Sequence, residues 1–74
     1  MKAYKNSKGC IMAVFKDDNE RYAIYSRENE KAYFKAAIGQ VYPHRATRAE
    51  AEADLVEKVR KSRDKTWKQI EFRG

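Results

Sequence analysis

The sequence predicts an α+β domain in which an antiparallel four-stranded sheet is covered on one face by a single helix, in the order β-β-β-α-β. Two observations support this prediction. Three short runs of β-forming residues alternate with polar turns in the first half of the chain, and an Ala- and Glu-rich segment with helical spacing follows them. With 74 residues the chain is long enough for one domain, which we assign to residues 1–74.

The strands are predicted from residue type and run length. Residues 9–16 form an unbroken apolar run, which is typical of a central strand covered on both faces. Residues 21–26 and 32–38 are the second and third strands of a meander, joined by polar turns. Residues 67–72 alternate apolar and polar side chains and are predicted to form the fourth strand, beside the first.

The helix is predicted over residues 47–63. Thr47 can cap its N-terminus, and Glu50 three residues later completes a capping box. Acidic residues fill the early turns and basic residues the late ones, which complements the helix dipole. We expect one apolar face of the helix to pack on the sheet. The residues expected to meet are Ala49, Ala53, Leu55, Val56 and Val59 on the helix and Ile11, Phe15, Ile24, Phe34 and Ile38 on the sheet.

The N-terminal residues and the single cysteine suggest a cytoplasmic setting. Residues 1–8 contain three lysines and no acid, so they are predicted to be a flexible basic arm, which either binds nucleic acid or is simply solvated. Cys10 lies beside Ile11 and Met12 and is expected to be a buried thiol in a reducing compartment. No run has the apolar length of a membrane span, so no membrane partner is expected.

Residues suited to catalysis are scarce. His44 is the single histidine, and its loop contains no serine, cysteine or acid, although partners could come from elsewhere in the fold. One histidine and one distant cysteine do not form a metal-ligand cluster, and the three glycines are too far apart for a phosphate-binding loop. We therefore expect no enzyme activity, no metal and no cofactor.

The positive charge is the stronger indication of function. The net charge of +6 favours anionic partners, although it also keeps small proteins soluble. Tyrosines between cations on the sheet face away from the helix could stack on bases while the cations meet phosphates; the alternative is a solvated face with ordinary cross-strand pairs. The candidate nucleic-acid-binding residues are Tyr33, Lys35, Arg45, Arg48, Lys58, Arg60, Lys61, Arg63, Lys65 and Lys68.

Part of the chain resembles a known family. The pair Ile38-Gly39, followed by the stretch of residues 47–53, is similar to the AP2 and integrase arm-binding type of DNA-binding domain. In that family a three-stranded sheet followed by a helix places the sheet in the major groove, so the resemblance implies DNA binding. The segment between Gly39 and Thr47 is longer than in the family, and the strand at residues 67–72 is additional.

Two functions fit these features of the sequence. The first is a small basic module that binds nucleic acid, or a nucleic-acid enzyme, without catalysis. The second is a protein-binding inhibitor or adaptor, because the short chain without catalytic residues also resembles the inhibitors encoded by phages and other mobile elements, anti-CRISPR proteins among them. Trp67 or an exposed tyrosine would then be the anchor. If the first strand is covered on one face only, Cys10, Met12 and Val14 would leave an apolar patch, and a homodimer is expected.

Overall fold

A computed structural model describes residues 1–36 and 42–73. Its elements are β1 (Lys2–Lys5), β2 (Ile11–Lys16), β3 (Tyr22–Arg27), β4 (Lys35–Ala36), α1 (Arg48–Lys61) and β5 (Lys68–Glu71). The strands form one antiparallel sheet in the order β4-β3-β2-β1-β5, and α1 packs on one face of it. The predicted α+β class, a meander with one helix, is confirmed, with one strand more than the sequence predicted.

The additional strand is β1, which lies within the segment predicted to be a flexible arm. It pairs with β2 on one side and with β5 on the other, so Ala3 faces both Ala13 and Ile70. As a consequence, β5 lies beside β1 and not beside β2 as predicted. A four-residue strand needs only two inward side chains, and the sequence Lys-Ala-Tyr-Lys is therefore too short and too polar to show a strand pattern.

The helix-side face of the sheet holds the main core. Met12, Val14 and Ile24 point toward α1 and pack against Ala51 and Leu55. The phase of β2 is thus opposite to the prediction, since Ile11 and Phe15 belong to the other face. Both alternating sets of β2 are apolar, so the sequence pattern alone does not decide which set faces the helix.

Helix α1 is turned about its axis relative to the prediction. Of the five residues expected in the core, Leu55 is buried and Val59 is partly buried, whereas Ala49 and Ala53 are not buried and Val56 is 45% exposed. Ala51 and Asp54 occupy the buried side instead. Among the expected partners on the sheet, Ile24 contacts the helix side, Phe34 belongs to the other face, and Ile38 falls outside the described residues.

An ion pair explains this rotation. Arg45 precedes the helix, and its backbone exchanges two hydrogen bonds of 2.7 Å with Tyr22 at the edge of β3. Its guanidinium donates from Nε and Nη2 to both carboxylate oxygens of Asp54, at 2.8 and 3.2 Å. A bidentate pair of this kind fixes direction as well as distance. Asp54 must therefore face the sheet, and the rest of the helix turns with it.

Two further contacts hold the start of the helix. Arg48 donates from Nη1 to the carbonyl oxygen of Val14 at 3.0 Å, and its guanidinium lies 5.0 Å from the centre of the Tyr22 ring. Thr47 accepts from the backbone N–H of Glu50, and its hydroxyl donates to the Glu50 carboxylate at 2.8 Å. The predicted cap at Thr47 is confirmed, and the helix ends at Lys61, two residues before the predicted end at residue 63.

The sheet face away from the helix, which we call the aromatic face, is closed by its own side chains. Ala3, Ala13 and Ile11 form its buried floor, and Phe15, Phe34, Ile70 and Phe72 pack on that floor. Phe34 adjoins β4 and Phe72 adjoins β5, yet their ring centres are 5.4 Å apart. These strands are the two edges of the sheet, so the sheet curls strongly toward this face.

Arg27 completes the aromatic face. Its guanidinium lies 4.8 Å from the centre of the Phe34 ring and 5.2 Å from that of Phe72, within reach of a cation–π interaction. Its Nε is buried and has no hydrogen-bond acceptor among the described residues. The Arg27 guanidinium therefore covers the aromatic face, and its charge interacts with the rings of Phe34 and Phe72.

The apolar patch on which the predicted homodimer depends is not present in the described residues. Met12 and Val14 were expected to leave this patch uncovered, and both side chains lie under the helix. Cys10, expected to be buried, is half-buried in the turn before β2. The first apolar run of the chain therefore gives no reason for self-association.

The core assignment can be tested by comparing neighbouring residues of α1. Leu55 is 1% exposed, so Leu55→Ala should lower the free energy of unfolding by about 2–5 kcal/mol. Val56→Ala, at an exposed position, should change it by less than about 0.5 kcal/mol. Urea denaturation of dilute protein measures both values. Equal losses for the two variants would contradict the orientation of the helix.

The role of the Arg45–Asp54 pair can be tested in the same way. Asp54→Ala should lower the urea midpoint, although alanine is the better helix former, because Arg45 would lose its partner. The control is Glu57→Ala, which removes an acid from the exposed Glu57–Lys61 pair and should change the midpoint much less. If the Asp54 variant matched or exceeded the wild-type midpoint, the ion pair would not be what orients α1.

Candidate nucleic-acid interface

The residues predicted to contact nucleic acid do not lie on one surface. Arg45 and Arg48 hold the helix on the sheet through Asp54, Val14 and Tyr22, so these contacts engage both guanidinium groups within the fold. The remaining eight are distributed between the C-terminal half of the helix, the connector to β5, the first residue of β5, and the segment around β4.

The helix cations differ in their surroundings. Lys61 pairs with Glu57 at 2.8 Å, and this hydrogen bond raises the pKa of Lys61 above its usual value. Lys58 is half-buried, whereas Arg60 and Arg63 are exposed. These cations are spread around the end of the helix.

Lys35 and Tyr33 lie differently from the prediction. Lys35 is paired with Ser26, two residues after Ile24, so it belongs to the helix-side face and not to the face away from the helix. Tyr33 is 87% exposed, which leaves its ring free to contact a partner. Both residues line a hollow of about 310 Å³ at the sheet edge, together with Arg27 and Glu28.

Trp67 is not an exposed anchor. Its indole Nε1 donates to the hydroxyl of Ser62 at 3.2 Å, and its ring packs against the helix-side core. This contact fastens the connector between α1 and β5 to the body of the domain. The indole is thus engaged within the domain, and the suggestion that Trp67 anchors a protein partner stays a prediction.

Three lysines meet in a groove at the end of the sheet where β1 ends and β5 begins. Lys5 and Lys68 stand directly opposite each other in the β1–β5 ladder, and Lys65 lies in the connector before β5. All three line one groove of about 560 Å³, which we call the basic groove. Its other lining residues are Asn6, Ser7, Thr66 and Ile70.

The walls of the basic groove are fixed to each other. Asn6 donates from its side-chain amide to Asp64 at 3.1 Å, and the backbone N–H of Ser7 donates to the hydroxyl of Thr66 at 2.9 Å. Asp64 in turn accepts from the hydroxyl and the backbone N–H of Thr66. The groove is therefore preorganised by hydrogen bonds between two loops that are distant in sequence.

The electrostatics of the basic groove are unbalanced. Like charges directly opposite each other in an antiparallel ladder destabilise the sheet. None of Lys5, Lys65 and Lys68 forms an ion pair within residues 1–36 and 42–73. Asp64 stays ionised, because hydrogen bonds from Thr66 first, and then from Asn6, lower the pKa of its carboxyl group. Its oxygens are occupied by those donors. Lys65 Nζ donates to the carbonyl oxygen of Arg60 at 3.3 Å, so Lys5 and Lys68 keep all of their donors for an external anion and Lys65 keeps the rest.

The basic surface continues beyond this groove. Lys5 also lines an adjoining hollow of about 420 Å³ that contains Lys31 and Glu30. The hollow of Tyr33 and Lys35 follows along the same β3–β4 connection. Glu28 and Glu30 reduce the positive charge in these two hollows, so the basic groove itself is where the uncompensated charge is concentrated.

Lys5 is a site residue that the sequence pattern did not reveal. The predicted flexible arm included it, because strand β1 was not predicted. Its proximity to Lys68 results from the pairing of the first and last strands, and local patterns do not specify such a pairing. The only signal in the sequence was the excess of lysine in residues 1–8.

A second polar cluster lies at the opposite end of the sheet. His44 Nδ1 is 2.5 Å from Asp17 Oδ2, and Asp17 Oδ1 accepts from the backbone N–H groups of Asn19 and Arg21 at 2.8 and 2.9 Å. The adjoining hollow of about 400 Å³ has no serine, threonine or cysteine among its described lining residues. The cluster therefore joins the β2–β3 turn to the segment before α1, and it offers no nucleophile for the histidine to activate.

Acid sensitivity should reveal this link. Hydrogen bonds, first from His44 and then from Arg21, lower the pKa of Asp17 below its ordinary value of 3.8. The carboxylate therefore stabilises the fold above that pH, and the contribution is lost as pH falls through the lowered pKa. Asp17→Asn should flatten the decline of the urea midpoint below about pH 4, whereas Asp18→Asn, at the exposed neighbour, should leave it steep. Identical pH profiles for Asp17→Asn and wild type would contradict this role.

Within residues 1–36 and 42–73, no three His, Cys, Asp or Glu side chains come together as metal ligands, and no helix has the length and apolar character to cross a membrane. Comparison of the chain with protein-family models, curated proteins and solved structures gave no match, so the resemblance to AP2 and integrase arm-binding domains stays a prediction.

Proposed function

We propose that this protein is a non-catalytic module that binds nucleic acid through the basic groove, with Lys5, Lys65 and Lys68 contacting phosphates. The observation that supports this proposal is the facing pair of Lys5 and Lys68, neither of which forms an ion pair with a described residue. Two cations in this position repel each other in the free protein. A bound polyanion removes that repulsion, so the same feature that costs stability in the free state favours binding.

The shape of the surface favours a chain of phosphates over a single small anion. The basic groove is open, and Lys5 also lines the adjoining hollow that contains Lys31. Cations spaced along an open surface suit a nucleic-acid strand, because they can follow its phosphate backbone. Lysine contacts phosphate as a flexible point charge, which suits binding that does not depend on base sequence.

A salt titration tests the proposal. Binding of labelled single-stranded and duplex oligonucleotides is measured at several salt concentrations. The double variant Lys5→Ala/Lys68→Ala should weaken binding to all sequences alike and lower the magnitude of the log–log salt slope by about two on duplex DNA.

The matched control removes the same net charge from the opposite end of the sheet. Lys16→Ala/Arg21→Ala should leave the salt slope nearly unchanged, because neither residue lines the basic groove. Equal losses in the two double variants would show that only net charge matters. Absence of binding by the wild-type protein at low salt and micromolar concentration would defeat the proposal.

The helix cations are the competing location for the same function. Arg60→Ala/Arg63→Ala removes two exposed cations at the end of α1. If nucleic acid lies along the helix, this variant should reduce the salt slope by about two and the Lys5/Lys68 variant should not. We expect the larger effect at the basic groove, where the lysines face one another.

The second candidate function, a protein-binding inhibitor or adaptor, is favoured by one observation. Tyr33 is 87% exposed, and an exposed tyrosine of this kind is a common binding anchor. In that case Tyr33→Ala would increase the dissociation rate of the partner, and salt would change mainly the association rate. Loss of partner binding in the Tyr33 variant, without any nucleic-acid binding by the wild type, would favour this function.

A further inference from the structure

The outer face of helix α1 is apolar where a surface helix is usually polar. Ala49, Ala53 and Val56 follow one another at helical spacing, and none of them is buried. A groove of about 330 Å³ runs beside them and is bordered by Lys2 and Tyr4 of β1. The Arg45–Asp54 pair holds another side of the helix on the sheet, so this apolar face cannot turn inward.

Two opposite charges flank the centre of this face. Glu52, Val56 and Arg60 form one row at a spacing of four residues, so the acid and the base lie equally far from Val56. The two charged residues are separated by about 12 Å along the helix, too far to pair with each other. Neither has an ion-pair partner elsewhere in the described part of the chain.

We propose that a second copy of this chain packs on the outer face of α1, forming a two-fold dimer in which the two helices run antiparallel and meet near Val56. A two-fold axis at Val56 places Glu52 of each copy at the level of Arg60 of the other, because each lies four residues from the axis. Two equivalent ion pairs then flank an apolar centre. The small side chain of Ala53, three residues from the axis, lets the two helices approach closely.

The charge pattern also selects the antiparallel arrangement. The early part of α1 is acidic and its last turn is basic. A parallel pair would place Glu52 opposite Glu52 and Arg60 opposite Arg60, and both pairs would repel. In an antiparallel pair each Glu52 lies opposite Arg60 of the other copy, so both pairs attract. This surface shares no lining residue with the basic groove, so the proposed dimer does not depend on the proposed function.

Charge exchange between two variants gives a direct test. Sedimentation equilibrium of the wild type at sub-millimolar concentration should show a dimer. Glu52→Arg alone and Arg60→Glu alone should each raise the dissociation constant by at least about tenfold, because both ion pairs of the homodimer become repulsive. An equimolar mixture of the two variants should recover the dimer. In the mixed dimer, positions 52 and 60 are both basic in one copy and both acidic in the other, so both pairs across the axis attract.

Two further variants complete the experiment. Val56→Asp should weaken the dimer, since it places two carboxylates together at the axis, whereas Tyr33→Asp should leave the dimer unchanged. Circular dichroism verifies that each variant is folded. A monomeric wild type at the highest concentration, or a mixture of Glu52→Arg and Arg60→Glu that associates no better than its components, would overturn the proposal. A dimer that persists in Val56→Asp would place the interface elsewhere and would likewise overturn it.

Discussion

The bidentate contact between Arg45 and Asp54 determines how the helix sits on the sheet. Only Ala51 and Leu55 of α1 are fully buried apolar residues, while Ala49, Ala53 and Val56 form a second face of similar character. Apolar burial alone therefore distinguishes poorly between two rotations of the helix. A directional ion pair, tied to β3 through the backbone of Arg45, selects one of them. The other apolar face is left in solvent as a result.

The parts of the fold that local chemistry specifies were predictable from the sequence. Thr47 caps the helix because a hydroxyl can satisfy a free N–H three residues later, and the polar turns separate strands of apolar residues. Which side chains of β2 face the helix was not predictable, because Ile11 and Met12 belong to two alternating sets that are equally apolar. The predicted rotation of α1 was wrong for a related reason. An aspartate is expected to face solvent, and the sequence does not show that Asp54 pairs with Arg45.

Function was harder to locate than fold, because a cation has the same appearance in sequence whatever it contacts. Arg45 and Arg48 looked like phosphate ligands and instead fix the helix, whereas Lys5 looked like part of a solvated tail and instead faces Lys68. The difference lies in the partner each side chain meets, and the partner is chosen by strand pairing. Composition predicted an anionic partner in general, and topology was needed to show where the uncompensated charge lies.

The pairing of β1 with β5 has a consequence for how the chain can be rearranged. Lys2 faces Glu71, and the backbone N–H of Phe72 donates to the carbonyl oxygen of Met1, so the two ends of the described sheet lie side by side. This meeting point is at the end of the β1–β5 ladder opposite to Lys5 and Lys68. A short linker can therefore join residue 73 to residue 1, with new termini in the exposed β2–β3 turn, and such a circular permutant retains every strand and leaves the basic groove untouched.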